Sequence, residues 1–262
     1  MIESLHSPHI ARVKALLGSR GKKERRETGQ FIAEGLQFLR EASAGDANPS
    51  IETLYLTTSG RLKAVAAGIE INHLDTVDVS DAVMVAMGET VTPQGILAVC
   101  RTPYLRADDL VIADGSRYIF LYEIQDPGNA GTIIRTADAT GFSGVITSEN
   151  SVDIYAPKVV RASAGSLWHL PIFEKMDLET IIDLWPNDQI FALSADGEKS
   201  LLDLSLQGPS LWIFGNEARG LDALEISARI SRVHIPMAGN AESLNLAAAA
   251  AIAMFRVTSA SA

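Results

Sequence analysis

Tyr118-Ile119-Phe120-Leu121-Tyr122-Glu123-Ile124 is followed, after Gln125, by Asp126-Pro127-Gly128-Asn129-Ala130-Gly131-Thr132-Ile133-Ile134-Arg135-Thr136-Ala137, and then by Gly144-Val145-Ile146-Thr147. The first run is apolar on both alternations, as a strand buried on both faces must be. Pro and Gly then punctuate a turn, and a helical pattern runs from Ala130 to Thr140. A second apolar run follows. Strand, helix and strand at this spacing predict parallel pairing, because a crossover helix is what parallel neighbours need.

The same alternation continues outward. Strands are expected at Gln189–Leu193, Ser210–Phe214 and Arg232–Pro236, with helices at Pro157–Ala164, Leu178–Trp185 and Leu221–Ala228. This predicts a mostly parallel α/β/α sheet over residues 115–262. Residues 105–114 read as a linker. Residues 1–104 read as a smaller α/β domain. Its expected helices are His9–Leu17 behind Ser7-Pro8, Leu36–Ala42, Arg61–Ala67 and one capped by the Asp78–Asp81 stretch that runs through Met87. Its expected strands begin at Gln30, Ile51, Ile69 and Gly95, with Ile69–Leu74 as the third. Gly18–Gly21 read as a break and Ala44–Ser50 as a loop.

The chain carries 22 Lys and Arg against 32 Asp and Glu, a formal charge of −10. Phosphate contacts need cations, so the body of the protein is not a nucleic-acid surface. One stretch is different: Arg12, Lys14, Arg20, Lys22, Lys23, Arg25 and Arg26 stand against Glu24 alone. That predicts one local basic patch on an acidic body. The single cysteine, Cys100, cannot make an internal disulfide and ends an apolar run, which reads as a buried strand residue in a reducing compartment, the cytoplasm. No apolar run is long enough to span a membrane. The five histidines have no metal-ligand spacing, and there is no serine-hydrolase elbow, phosphate-binding Walker loop or complete dinucleotide fingerprint.

Three segments place polar groups at strand ends, where open α/β sheets bind ligands. In the first, Asn129 is a candidate helix N-cap, and Arg135 shares a helical face with Gly131 and Ala139. The second is Gly215-Asn216-Glu217-Ala218-Arg219-Gly220-Leu221, in which Glu217 is a candidate base or partner for Arg135. The third runs from Ile235-Pro236-Met237 to Ser243-Leu244-Asn245 at the mouth of an Ala-rich helix, where Ser243 is a candidate cap.

Taken in order, these segments resemble the SpoU (TrmH) family of RNA ribose 2′-O-methyltransferases, in the SPOUT superfamily. The matching residues are Asn129, Gly131 and Arg135; Gly215, Glu217, Gly220 and Leu221; and Ile235, Pro236, Met237, Ser243, Leu244 and Asn245. Arg161-Ala162-Ser163-Ala164-Gly165 with His169-Leu170-Pro171 also resembles a family stretch. The first 104 residues resemble the family's RNA substrate-binding domain, itself similar to small ribosomal proteins, at Ser7, Arg20, Arg25, Gly29-Gln30-Phe31 and Glu34-Gly35.

The resemblance implies S-adenosylmethionine as cofactor, structured RNA as substrate with ribosomal RNA favoured over transfer RNA, a homodimer, and a deep C-terminal trefoil knot. It assigns the chemistry to Arg135, Asn129, Glu217, Ser243 and Asn245. It assigns the cofactor to Leu193, Gly215, Asn216, Gly220, Ile235, Met237 and Leu244, and RNA contacts to Arg20, Lys22, Lys23, Arg25 and Arg26. Arg135 is expected to hold a phosphate and stabilise alkoxide charge, since a guanidinium is not deprotonated in proteins. Asn129 and Glu217 are expected to orient it, Ser243 and Asn245 to place the ribose and cofactor ends, and water or Glu217 to take the proton. The competing readings are a non-catalytic RNA-binding protein on the same fold, a nicotinamide oxidoreductase, and a sister knotted methyltransferase acting on a base nitrogen, whose motifs would differ at the Arg135 segment.

Overall fold

The computed structural model describes residues 1–43, 48–221 and 228–259. Most of the predicted helix over Leu221–Ala228 and most of the predicted loop over Ala44–Ser50 lie outside them. The chain forms two compact units, one of Met1–Pro103 with Asp153–His169 and one of Tyr104–Val152 with Leu170–Ala262.

The first unit contains α1 (Pro8–Leu17), α2 (Gly21–Thr28), β1 (Gln30–Glu34), α3 (Leu36–Ala42), β2 (Ile51–Leu56), α4 (Thr58–Ala66), β3 (Thr76–Asp78), α5 (Asp81–Met87) and β4 (Ile96–Arg101). Its sheet runs β1-β4-β2-β3, with β4 antiparallel to both neighbours and β2 parallel to β3. Ser7 caps α1 by accepting from the His9 N–H, and Pro8 opens the helix without wasting a donor. Ile10, Val13 and Leu17, at three- and four-residue spacing, then face the sheet beside Ile32 and Leu97. Phe31 points to the opposite face, where its ring meets Tyr155 at 4.8 Å and Trp168 at 6.0 Å.

Those two aromatics come from the Asp153–His169 segment, which contains α7 (Pro157–Ala162) and packs on this first unit, although its sequence sits inside the stretch read as the C-terminal domain. Two expectations need correction. Ile69–Leu74 is not a strand: Ile69 and Ile71 are buried, but the chain turns at Asn72-His73, with Leu74 N–H bonded to Ile71 C=O, and pairing begins only at Thr76. Gly21 does not only break α1. It starts α2, where a side chain would lie 2.5 Å from the Leu16 carbonyl oxygen.

The second unit is built on β5 (Arg117–Leu121), α6 (Pro127–Ala139), β6 (Gly144–Thr147), β7 (Ile172–Phe173), α8 (Leu178–Leu184), β8 (Ile190–Leu193), β9 (Lys199–Ser200), β10 (Ser210–Phe214), β11 (Ile230–His234) and α9 (Leu246–Ser259). Its strands pair in parallel in the order β7-β6-β5-β10-β8-β11-β9. The expected α/β parallel sheet is therefore present. Central β10 is buried at every residue, and Trp212 stacks on Phe191 at 4.7 Å. Full burial of side chains this size stabilises by about 1.5–3 kcal/mol each, which fixes where β10 ends and its turn begins. The β5 strand stops at Leu121, short of the predicted Ile124, because Glu123 takes a left-handed conformation at φ 52°.

The formal charge is divided unevenly. The second unit holds nine Lys and Arg against nineteen Asp and Glu; the first holds thirteen of each. The whole of the −10 belongs to the second unit.

Candidate active site

The ends of β5, β8, β10 and β11 open on one side of the sheet, where parallel strands point their free carboxyl ends. A cleft of about 410 Å³ lies there, lined by Asn129, Leu193, Ser194, Ala195, Asn216, Glu217, Ile235, Met237, Ser243, Leu244, Asn245, Leu246 and Ala249. That is ample for a small organic ligand.

The first wall is the start of α6. Asp126, not the predicted Asn129, is its N-cap: its carboxylate accepts from the Asn129 N–H at 2.8 Å, and Pro127 occupies the first turn. Asn129 is thereby a residue of the first turn whose side-chain amide, not engaged in capping, lines the cleft.

The second wall is the loop after β10. Gly215 is required, because a Cβ there would lie 2.3 Å from the Gly220 carbonyl oxygen. Asn216 and Gly220 exchange main-chain hydrogen bonds at 2.9 and 2.8 Å, and the Asn216 side chain accepts from Ala218 and Arg219 N–H while donating to Glu123 C=O at 2.8 Å. Gly215 and Gly220 shape this loop and are not among the cleft-lining residues. Glu217 is held by the Gln125 N–H at 3.1 Å, the Asp126 N–H at 3.0 Å and the Asn129 amide at 3.3 Å. Burial pushes its carboxyl upward, but main-chain donors, Asp126 first, and Asn129 outweigh burial and hold it below the ordinary value of 4.5.

The third wall is the segment after β11 and the start of α9. Asn245, not Ser243, caps α9: its Oδ1 accepts from Ala247 and Ala248 N–H at 2.9 and 3.3 Å. Its Nδ2 donates to Asn129 Oδ1 at 3.2 Å. Ala247, Ala250, Met254 and Val257 form the buried stripe of α9, which packs against α6.

The structure thus brings Asn129, Glu217, Ser243 and Asn245 together with Leu193, Asn216, Ile235, Met237 and Leu244. It does not bring Asn129 and Glu217 to Arg135. Arg135 is exposed on α6, and its guanidinium has no partner among the described residues. The orienting contact expected for it is absent there because Glu217 is occupied by two main-chain donors and one amide. Among the other cations of this unit, Arg219 binds Glu123, Arg229 binds Asp188 and Arg232 binds Asp196.

Of the predicted RNA-binding residues, Arg20, Lys22, Lys23 and Arg26 are exposed on or beside α2. Arg25 is not available. Its side chain is 8% exposed, bonded to the Leu16 carbonyl and, at 2.7 Å, to Asp153. The loop after Leu193, which the family resemblance sets close to the cofactor without naming its residues, contributes Ser194 and Ala195, because it is tied to β11 through Ser194 N–H to Val233 C=O at 2.9 Å and His234 Nδ1–H to Gly197 C=O at 2.8 Å. No motif in the chain marks that loop.

The cleft suits S-adenosylmethionine. Leu193, Ile235 and Leu244 offer apolar surface to a flat ring, and Glu217 is an ionised carboxylate beside a site for a cationic ligand. The main-chain N–H groups of Met237 to Leu244 have no hydrogen-bond partner among the described residues, which leaves donors for a ligand's polar edges.

Comparison with known proteins agrees with this geometry. A model of the SpoU rRNA Methylase family matches residues 116–255, and a model of the MRM3-like substrate binding domain matches residues 10–98. The Bacillus subtilis protein named 23S rRNA (guanosine(2553)-2′-O)-methyltransferase RlmP is 30% identical over 90% of this chain and 91% of its own length. An AdoMet-bound rRNA methyltransferase from Sinorhizobium meliloti superposes with a TM-score of 0.84 at 30% identity, covering 99% of this chain and 97% of that one. The methyltransferase AviRb of Streptomyces viridochromogenes, in complex with AdoMet, gives 0.83 at 26% identity over 98% of each chain. Fold and cleft together define an RNA methyltransferase. The chain belongs to the SpoU rRNA methylase family.

Proposed function

We propose that this protein transfers a methyl group from S-adenosylmethionine to a ribose 2′-hydroxyl of ribosomal RNA. The observation that carries the reading is the joining of three separate strand-end loops by one chain of hydrogen bonds, Asn245 to Asn129 to Glu217, along the wall of the cleft.

When bound, S-adenosylmethionine supplies a methyl group already activated by its sulfonium, so the protein has mainly to align and to stabilise charge. Leu193, Asn216, Ile235, Met237 and Leu244 bind the cofactor, on a loop shaped by Gly215 and Gly220. Ser243 and Asn245 place the reacting ends. Arg135, the guanidinium that the fold leaves unspent, grips the RNA phosphate beside the target and stabilises developing alkoxide charge. The hydroxyl proton leaves to water. Glu217 is a poor base for it, because its hydrogen bonds favour the ionised form; its work is to tie the β10 loop to the α6 cap.

Residues 1–104 act as the RNA substrate-binding domain, through Arg20, Lys22, Lys23 and Arg26, and 115–262 as the methyltransferase domain, with 105–114 between them. Family membership supports a deep trefoil knot in the C-terminal part and a homodimer. The dimer is also supported by α9, which leaves Ile252 43% and Phe255 68% exposed on one stripe. No described helix is long and apolar enough to cross a membrane, and the reading places the protein in the cytoplasm.

The test is to incubate the protein with labelled S-adenosylmethionine and RNA lacking its modification, then to digest the RNA. Label in a 2′-O-methylated nucleoside of ribosomal RNA is the expected result. Cofactor binding without label in any RNA would overturn the catalytic reading in favour of an RNA-binding protein on this fold.

A further inference from the structure

The structure assigns Glu52 a role outside the cleft: it holds Arg12 and Arg101 as a paired guanidinium seat for an RNA phosphate on the first unit. This rests on the RNA-methyltransferase reading and adds Glu52 and Arg101, which neither the basic run nor the family motifs contain, to Arg12 of that run.

Glu52 lies on β2 with its side chain 24% exposed. Three groups converge on it from three other elements. Arg12 of α1 bonds one carboxylate oxygen, Gln30 of β1 reaches both at 3.0 Å, and Arg101 of β4 lies 3.0 Å from the second. Two guanidiniums against one carboxylate leave a net positive charge. Arg101 is 63% exposed, and beyond Glu52 its guanidinium meets no described residue. A guanidinium has five N–H donors in a planar fork, so Arg101 retains donors for a phosphate after meeting Glu52. The carboxylate holds the fork in place, which lowers the ordering cost of engaging a ligand.

The seat is continuous with the exposed cations of α2. That helix ends at Gly29, Gln30 follows directly, and the Thr102 N–H binds the Gly29 carbonyl at 2.9 Å, so the end of β4 is fastened to the end of α2. Arg26 lies in the last turn of α2 and is exposed. With the net negative charge confined to the other unit, this is where an RNA backbone meets least repulsion. An ion cluster serving only to close the sheet would gain little from so exposed an arginine.

The experiment uses the full chain and a fluorescein-labelled RNA stem-loop, with binding titrated across a salt series. S-adenosylmethionine affinity and thermal melting serve as folding controls. Arg101→Ala is expected to weaken RNA binding roughly fivefold or more and to lower the slope of log affinity against log salt by about one. Arg101→Lys is expected to restore the slope but not the full affinity, because an ammonium lacks the fork. Glu52→Gln separates organisation from bulk charge. It makes the protein more positive, yet the seat loses its anchor, so binding is expected to weaken. Wild-type affinity and slope in Arg101→Ala, or tighter binding by Glu52→Gln, would overturn the assignment. A wild-type chain that binds S-adenosylmethionine but not the stem-loop would overturn the RNA reading with it.

Discussion

Asn245 donates its side-chain amide to Asn129 while its carbonyl oxygen caps α9, so the orientation of both amides is fixed. Asn245 Oδ1 faces two main-chain N–H groups and can only accept. Its Nδ2 must then donate to Asn129 Oδ1, and Asn129 Nδ2 must donate to Glu217. Asn245→Asp keeps the cap but removes the donor. Helix stability is expected to hold while turnover falls roughly tenfold or more, a loss of about 1.4 kcal/mol in transition-state stabilisation. Asn245→Ala removes both functions and is expected to cost about 1 kcal/mol of stability as well. Denaturant unfolding beside a methyl-transfer assay checks the pair, and equal stability in the two variants would refute the capping role.

Glu217 gives a pH-dependent tie. Its folded pKa is depressed below 4.5, so the stability it contributes is fully present above that value and is lost as pH falls through the folded value. Glu217→Gln removes this dependence. The stability difference between wild type and the variant is therefore expected to be constant near neutral pH and to shrink under acid, measured by thermal melting across a pH series. A difference that grew on acidification would mean that the carboxyl is raised, not lowered.

Arg135→Ala is expected to leave folding within about 0.5 kcal/mol of wild type, because an exposed side chain without a partner among the described residues contributes little. Cofactor affinity should also survive, while turnover falls roughly 100-fold, in the range seen when one charge-stabilising donor is removed. Arg135→Lys should recover only part of that. Single-turnover rates at saturating RNA and cofactor, beside calorimetric cofactor binding, check the outcome; loss of cofactor binding would contradict the role.

Arg25 should behave in the opposite way. It lies in a run of exposed cations, but it is buried against Asp153 at 2.7 Å. Arg25→Ala leaves that carboxylate uncompensated and is expected to cost about 3–5 kcal/mol of stability. At a temperature where the variant remains folded, the salt dependence of RNA binding should not change. A lowered salt slope would return Arg25 to the RNA surface.

The legible parts of this protein are those written contiguously. The strand-end motifs at Asn129, Glu217 and Asn245 do meet in one cleft, and β10 announces itself as an unbroken buried run. What was not legible depends on partners far along the chain. Arg25 reads as a phosphate ligand because Asp153 is 128 residues away. Gly21 reads as a breaker because the close approach of Leu16 has no sequence signal. The α6 cap is ambiguous in the sequence because Asp126 and Asn129 are both capable of capping; Pro127, which favours the first helical position, is the cue that decides for Asp126. Ile69–Leu74 alternates like a strand, yet its two isoleucines are buried by a turn.

The uneven division of charge has a kinetic consequence. A protein that was positive throughout would adhere along any RNA it met and leave slowly. Here the first unit is neutral overall and gathers exposed cations only around α2, while the unit carrying the cleft bears the entire −10. Bulk RNA is therefore attracted only by the basic patch of the first unit and repelled by the second unit, so chance encounters are brief. Only an RNA whose shape satisfies the first unit and also presents a ribose at the cleft offsets that repulsion. Acidity of this kind acts as a proofreading background, and raising the salt should erode discrimination between RNAs as well as affinity for them.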